Sequence, residues 1–159
     1  MKNKAIIIQY EDLADKKQVF RNRKTVLVGG CFDLIHYGHL KFLEAAKKKG
    51  DFLIIALESD EFIKNYKRKL QVHHQYERAE ILANMNMVDV IILLPYFHTN
   101  EEYFELVKKI SPSIIAVTEG DKQLANKRKQ AKLVRAEVKV VVANLSNFAT
   151  RNIAKVFDL

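Results

Sequence analysis

A chain of 159 residues with 48% hydrophobic content has room for one folded α/β domain with its own core, which excludes a disordered polymer. The single cysteine, Cys31, excludes a disulfide framework within the chain and cannot build a zinc site alone, which points to a reducing, cytoplasmic setting. A net charge of +8 points to an anionic partner, whether nucleic acid, a membrane surface or a phosphorylated metabolite, without choosing among them.

The apolar run over residues 5–8 is too short for a signal-peptide core. The longest later run, 90–94, is too short to span a bilayer, so no membrane partner is expected. Residues 12–23 are polar with Leu13, Val19 and Phe20 scattered among them and predict a short helix, making residues 1–24 a helical appendage to a domain over 25–159. Residues 25–29 (TVLVG) form a compact apolar run stopped by Gly29 and Gly30. Helical spacing through Leu40, Leu43, Ala46 and Lys47 then predicts a helix over 40–49, completing a strand, a glycine-bearing loop and a helix.

Residues 52–57 (FLIIAL) predict a second buried strand, followed by a basic, polar connection over 64–75 that holds Lys64, Lys67, Arg68, Lys69, His73 and His74. Helices over 76–87, 103–110, 122–136 and 151–157 alternate with strands over 88–94, 113–117 and 138–142. The cations of the 122–136 helix, Lys127, Arg128, Lys129 and Lys132 among them, read as a solvated face. Apolar strands alternating with helices predict a Rossmann-like, doubly wound parallel sheet of five strands with helices on both faces. In such a sheet the first loop and the 64–75 connection face one crevice at the carboxyl ends of the strands.

The chemistry concentrates in Gly29-Gly30-Cys31-Phe32-Asp33-Leu34-Ile35-His36-Tyr37-Gly38-His39. His36 and His39 open a helix and project to the same side, where the helix start offers unpaired N–H groups and a partial positive charge. Polyphosphate fits there. Gly38 removes a side chain where the phosphate chain must come close, and imidazole N–H groups can donate to its oxygens. Either histidine alone reads as an ordinary surface or capping residue; the joint pattern between strand and helix favours phosphate.

Gly30-Cys31-Phe32-Asp33 followed by His36-Tyr37-Gly38-His39 resembles the signature of the cytidylyltransferase-like nucleotidyltransferases, Gly-x-Phe-Asp with His-x-Gly-His. The resemblance covers nearly all of residues 11–157. Residues 11–89 lie without gaps on the heptose-1-phosphate adenylyltransferase type, whereas Asp60-Glu61-Phe62, the lysine-rich run and Tyr76-Glu77 are similar to glycerol-3-phosphate cytidylyltransferase. The resemblance implies an enzyme that transfers a nucleotidyl group from CTP or ATP to a small sugar or polyol phosphate and releases pyrophosphate. By it, His36 and His39 hold the triphosphate, and Lys64 and Lys67 bridge nucleotide and substrate phosphates. Gly30, Cys31, Phe32 and Gly38 form the nucleotide loop, and Asp33 either ties down the turn or meets a metal. Magnesium arrives with the nucleotide rather than in a metal site of the chain. A homodimer is common among resembling proteins.

Three departures stand against the pattern. The family's second signature, ending in Ser-Thr-Thr, appears as Phe148-Ala149-Thr150-Arg151. Thr150 can still cap a helix and donate to phosphate, and Arg151 can supply a charged fork. Asn144 and Asn147 replace an arginine and a glycine, and Thr118-Glu119-Gly120-Asp121 departs from the usual run near the base pocket. These changes motivate an alternative: a catalytically weakened, nucleotide-binding regulatory module. Specific nucleic-acid binding has no support beyond charge, because no aromatic-interleaved recognition motif accompanies it.

Overall fold

The computed structural model describes residues 4–143. Its strands are β1 (Ile6–Gln9), β2 (Thr25–Gly30), β3 (Phe52–Leu57), β4 (Val90–Leu93), β5 (Ile114–Thr118) and β6 (Glu137–Val142). They form one sheet in the order β1-β4-β3-β2-β5-β6, and every pairing is parallel. The helices are α1 (Tyr37–Lys47), α2 (Asp60–Tyr66), α3 (Gln75–Ala83), α4 (Asn100–Ile110) and α5 (Leu124–Val134).

Alternation along the strands divides the core in two. Val26, Val28 and Ile55 face α1 and α3, meeting Phe42, Leu43, Ala46 and Leu82. Leu27, Ile54 and Ile115 face α4 and α5, meeting Leu106, Val107, Ile110 and Ala131. Both faces are therefore covered, which is why the central strands read as unbroken apolar runs. The order of strands reverses between β2 and β5, so the crevice outside their carboxyl ends lies where open α/β sheets hold ligands.

The sheet has six strands rather than the five expected. Ile6–Gln9 adds an edge strand on β4; with Ile6 46% exposed and only Ile8 buried, it lacks the continuous burial that marks the central strands β2 to β5. The helix expected over 12–23 is not formed. Two 3-10 turns, Tyr10–Asp12 and Lys17–Phe20, stand there instead, and they set Leu13 and Phe20 into the core beside Ile8. Over residues 11–20 only Leu13 and Phe20 are buried, too few to make the apolar stripe a helix needs, and two short turns suffice to bring them in. The connection after β3 is partly helical. Ser59 caps α2, its hydroxyl accepting the Phe62 N–H at 3.1 Å, so Lys64 lies in a helix and not in a loop. The closing helix expected over 151–157, with Thr150 and Arg151, lies outside the described residues.

Candidate functional site

β2 ends at Gly30, and the chain turns through Cys31 to Ile35 before α1 begins. Phe32 adopts φ of 47°, in the left-handed region, which swings its ring beneath Gly30. A Cβ on Gly30 would come within 2.9 Å of that ring, so the turn requires glycine there. Burial pushes the Cys31 thiol up to about 11, which keeps it protonated and unreactive at neutral pH.

His36 is the N-cap of α1, and its Nδ1 accepts the Gly38 N–H at 3.1 Å. That bond requires an unprotonated Nδ1, so the ring's proton sits on Nε2, which is left as a donor. The His39 ring stacks on His36 with centroids 3.8 Å apart and rests against Phe32 at 5.1 Å. Burial, and then the neighbouring His36, lower His39 to about 4; burial also lowers His36. His39 Nδ1 is buried without a well-formed hydrogen bond, although the Leu34 carbonyl favours a proton on the ring. At neutral pH the pair is therefore two neutral N–H donors at a helix start.

Asp33 is 4% exposed and faces the connection after α2. The Val72 N–H donates to its Oδ1 at 2.9 Å and its Oδ2 at 3.1 Å, the His73 N–H donates to Oδ1 at 3.0 Å, and Lys69 Nζ stands 3.9 Å from Oδ2. The expected tie is thus drawn to residues 69–73. With its oxygens committed to backbone donors, Asp33 has little left for a metal. Among the described residues, no three His, Cys, Asp or Glu side chains gather to hold an ion. The groups that do gather are N–H and ammonium donors, suited to phosphate oxygens rather than to the cation.

Arg78 was not foreseen as a site residue, and it is fully buried. Its guanidinium donates to the carbonyls of Cys31, Glu58 and His73 and to Asp60 Oδ1 at 2.8 Å. Three segments around the crevice, those at Cys31, at Glu58 to Asp60 and at His73, are thereby fixed to one planar group. Nothing in the run Tyr76-Glu77-Arg78 marked that arginine, because its partners are three backbone carbonyls and the Asp60 carboxylate, which the fold brings to it.

A cavity of about 660 Å³ opens beside this turn, on the α4 and α5 face of the sheet. Gly30, Cys31 and Lys67 belong to its lining; His36 and His39 do not, since α1 packs on the opposite face. The structure thus joins the expected residues in two groups that meet at Gly30 and Cys31. The histidines and Gly38 form one, at the start of α1. Lys67 belongs to the other, at the cavity, while Lys64 stands exposed one turn earlier in α2.

The cavity also holds two residues that sequence reasoning missed, Glu58 and Tyr103, joined by a 3.0 Å hydrogen bond from the tyrosine hydroxyl to Oε1. Burial raises Glu58 to about 7, while Lys127, Arg78 and Lys67 pull the other way. A charged residue placed immediately after the apolar run FLIIAL was the available signal. Lys127 and Asp121, also in the lining, pair at 2.6 Å.

The model of the family described as cytidylyltransferase-like matches residues 27–156. The chain belongs to this family. Among cytidylyltransferase-like relatives it is 38% identical over 92 residues to the FAD synthase of Thermococcus sibiricus, covering 58% of this chain and 60% of that one. It is 38% identical over 100 residues to the bifunctional protein HldE of Aliarcobacter butzleri, covering 62% of this chain and 20% of that one. The chain thus matches less than two thirds of the length of either relative. In fold it is similar to a lipopolysaccharide core biosynthesis protein from Thermoplasma volcanium, with a TM-score of 0.63 and 24% identity over 77% of this chain and 96% of that one. No helix among the described residues is long and apolar enough to cross a membrane.

Proposed function

We propose that this chain is a nucleotidyltransferase that moves a nucleotidyl group from CTP or ATP to a small sugar or polyol phosphate of the heptose-1-phosphate or glycerol-3-phosphate type. The observation that carries the reading is the stacked His36 and His39 pair at the start of α1, next to a glycine turn at the reversal of strand order. A phosphate oxygen of the acceptor attacks the α-phosphorus and forms the new P–O–P link. The bond to the β-phosphate oxygen breaks in line, and pyrophosphate leaves. No covalent bond to the chain is needed, so its work is positioning and stabilisation of charge.

His36 Nε2–H and the His39 ring donate to the triphosphate, and the incoming negative charge raises the proton affinity of both rings. Lys67 meets phosphate between the two substrates, with Lys64 behind it on α2. Thr150 and Arg151 add a hydroxyl and a guanidinium fork from the end of the chain. Magnesium bound to the triphosphate would offset part of its charge. Calorimetric titration with CTP and ATP in the presence of magnesium tests the reading. Binding of at least one at micromolar to millimolar concentration is expected, and no binding of any common triphosphate would remove it.

A catalytically weakened module that only binds nucleotide is the second reading. It is favoured by Thr118, which ends β5 at an irregularity in its register with β6, together with Asn144 and Ala149 in place of family residues. Pyrophosphate release separates the two.

A further inference from the structure

Glu58 stands where β3 ends, 8% exposed, with its backbone N–H donating to the Gly30 carbonyl at 3.0 Å. Its Oε1 accepts from Tyr103, but its Oε2 is buried with no hydrogen-bond partner. A bare carboxyl oxygen lining a cavity is a loss of free energy that a ligand's donor can recover. The phosphates of the nucleotide bring no such donor; its ribose and base do, as does the body of the acceptor, and Lys67 in the same lining, a cation suited to the acceptor's phosphate, favours the acceptor.

The walls around Glu58 are aromatic. Phe62 and Tyr66 stack with centroids 4.9 Å apart, and Phe97 meets Tyr103 edge to face at 4.9 Å. A volume of about 660 Å³ lies in the range of ~300–1,000 Å³ that holds ligands with ring systems and is generous for a three-carbon chain. The ammonium of Lys127 is tied to Asp121 at 2.6 Å, and the Arg78 guanidinium is spent on carbonyls and Asp60. Of the lining lysines that remain, Lys122 lies just ahead of α5, whereas Lys67 stands beside Cys31 at the glycine turn and is the cation placed for the acceptor's phosphate.

We infer that Glu58 selects the acceptor: its free Oε2 takes a hydrogen bond from an O–H or N–H on the body of a ring-bearing phosphate ester, whose ring lies against the aromatic walls and whose phosphate turns to Lys67. This rests on the nucleotidyl-transfer reading and narrows its acceptor. A sugar ring, with hydroxyls and an apolar face, has this chemistry, and so does a flavin ring with its N–H; glycerol 3-phosphate has donors but no ring. A site built around a buried acceptor atom rejects the analogue that leaves it bare.

The test is calorimetric titration of the whole chain, loaded with magnesium and a non-hydrolysable triphosphate analogue, with heptose 1-phosphate, flavin mononucleotide and glycerol 3-phosphate. At least one ring ester should bind about tenfold or more tightly than glycerol 3-phosphate, and which one does so distinguishes sugar from flavin. Measured at pH 8.5, where the Glu58 carboxyl is ionised, Glu58→Gln should lose about tenfold for that ester, since a charge-assisted bond becomes a neutral one, with triphosphate affinity unchanged. Should that variant fail to fold, Glu58→Leu combined with Tyr103→Phe removes both partners of the buried pair at nearly constant shape and should show the same loss. No preference for a ring ester, or variants that bind it as the parent does, overturns the assignment of Glu58 alone. A parent chain that binds no triphosphate overturns the transfer reading and the assignment with it.

Discussion

The imidazoles of His36 and His39 stack 3.8 Å apart with 25° between their planes, and the first of them also caps the helix that carries the second. One side chain therefore serves the fold and the chemistry together, and a substitution can separate the two. His36→Ala should lower turnover about a hundredfold or more, a loss of roughly 3 kcal/mol of transition-state stabilisation, and cost about 1 kcal/mol of stability through the lost cap. His36→Asn should restore the cap, and hence the denaturant midpoint, without restoring turnover. A His36→Asn protein with parental turnover would make this histidine a cap alone.

Burial gives His39 and Glu58 opposite effects on stability below neutral pH. His39, lowered from 6.5 to about 4, binds its proton in the unfolded chain first, so its contribution is present above 6.5 and is lost as pH falls toward 4. Glu58, raised from 4.5 to about 7, keeps its proton in the folded chain, so its contribution is full below 4.5 and lost as pH rises through 7. Between about 4.5 and 6.5 the two slopes oppose. Glu58→Gln, which cannot titrate, should therefore lose stability on acidification more steeply than the parent, and His39→Gln less steeply. Urea titrations at pH 4.5, 5.5 and 6.5 read the difference, and parallel pH profiles for all three proteins would contradict it.

Asp33 holds the 69–73 segment by backbone N–H groups, so its removal should loosen that segment rather than the sheet. Asp33→Ala should cost about 1.5–3 kcal/mol for hydrogen bonds to a charged group and speed proteolysis between α2 and α3. Because Lys67 leads into the same segment, KM for the acceptor should rise more than kcat falls. Cleavage at the parental rate would show that the segment is held by other means.

Arg78 predicts a larger effect. Arg78→Met leaves Asp60 and three carbonyls without their buried donor, a loss on the order of 3–5 kcal/mol. Arg78→Lys should recover only a fraction, since one ammonium cannot reach four acceptors in a plane. A thermal midpoint within a degree or two of the parent would show that water replaces the guanidinium.

The central strands, the parallel sheet and the position of His36 and His39 were legible in the sequence, because strands buried on both faces, such as FLIIAL, have no competing reading beside a glycine turn and a helix. β1 was not, because a four-residue edge run gains its stability from pairing with Val90 to Leu93, far along the chain. α2 announced itself only through Ser59-Asp60-Glu61, a cap and an acidic first turn ahead of a stretch whose lysines read as loop. In the site, Asp33 was legible as a tie but its partners, Val72 and His73, were not. Glu58, Arg78 and Tyr103 owe their roles to contacts between distant segments, and only the charge at the end of a buried strand hinted at the first.

Pyrophosphate release is the measurement closest to the central claim. The parent chain, given magnesium, CTP or ATP and a panel of heptose, glycerol, choline and ethanolamine phosphates with flavin mononucleotide, should liberate pyrophosphate in step with consumption of one acceptor. His39→Ala, which spares the N-cap of α1, should cut that rate about a hundredfold or more. A parent chain that binds triphosphate yet releases no pyrophosphate with any acceptor, or a His39→Ala protein as fast as the parent, would contradict the account.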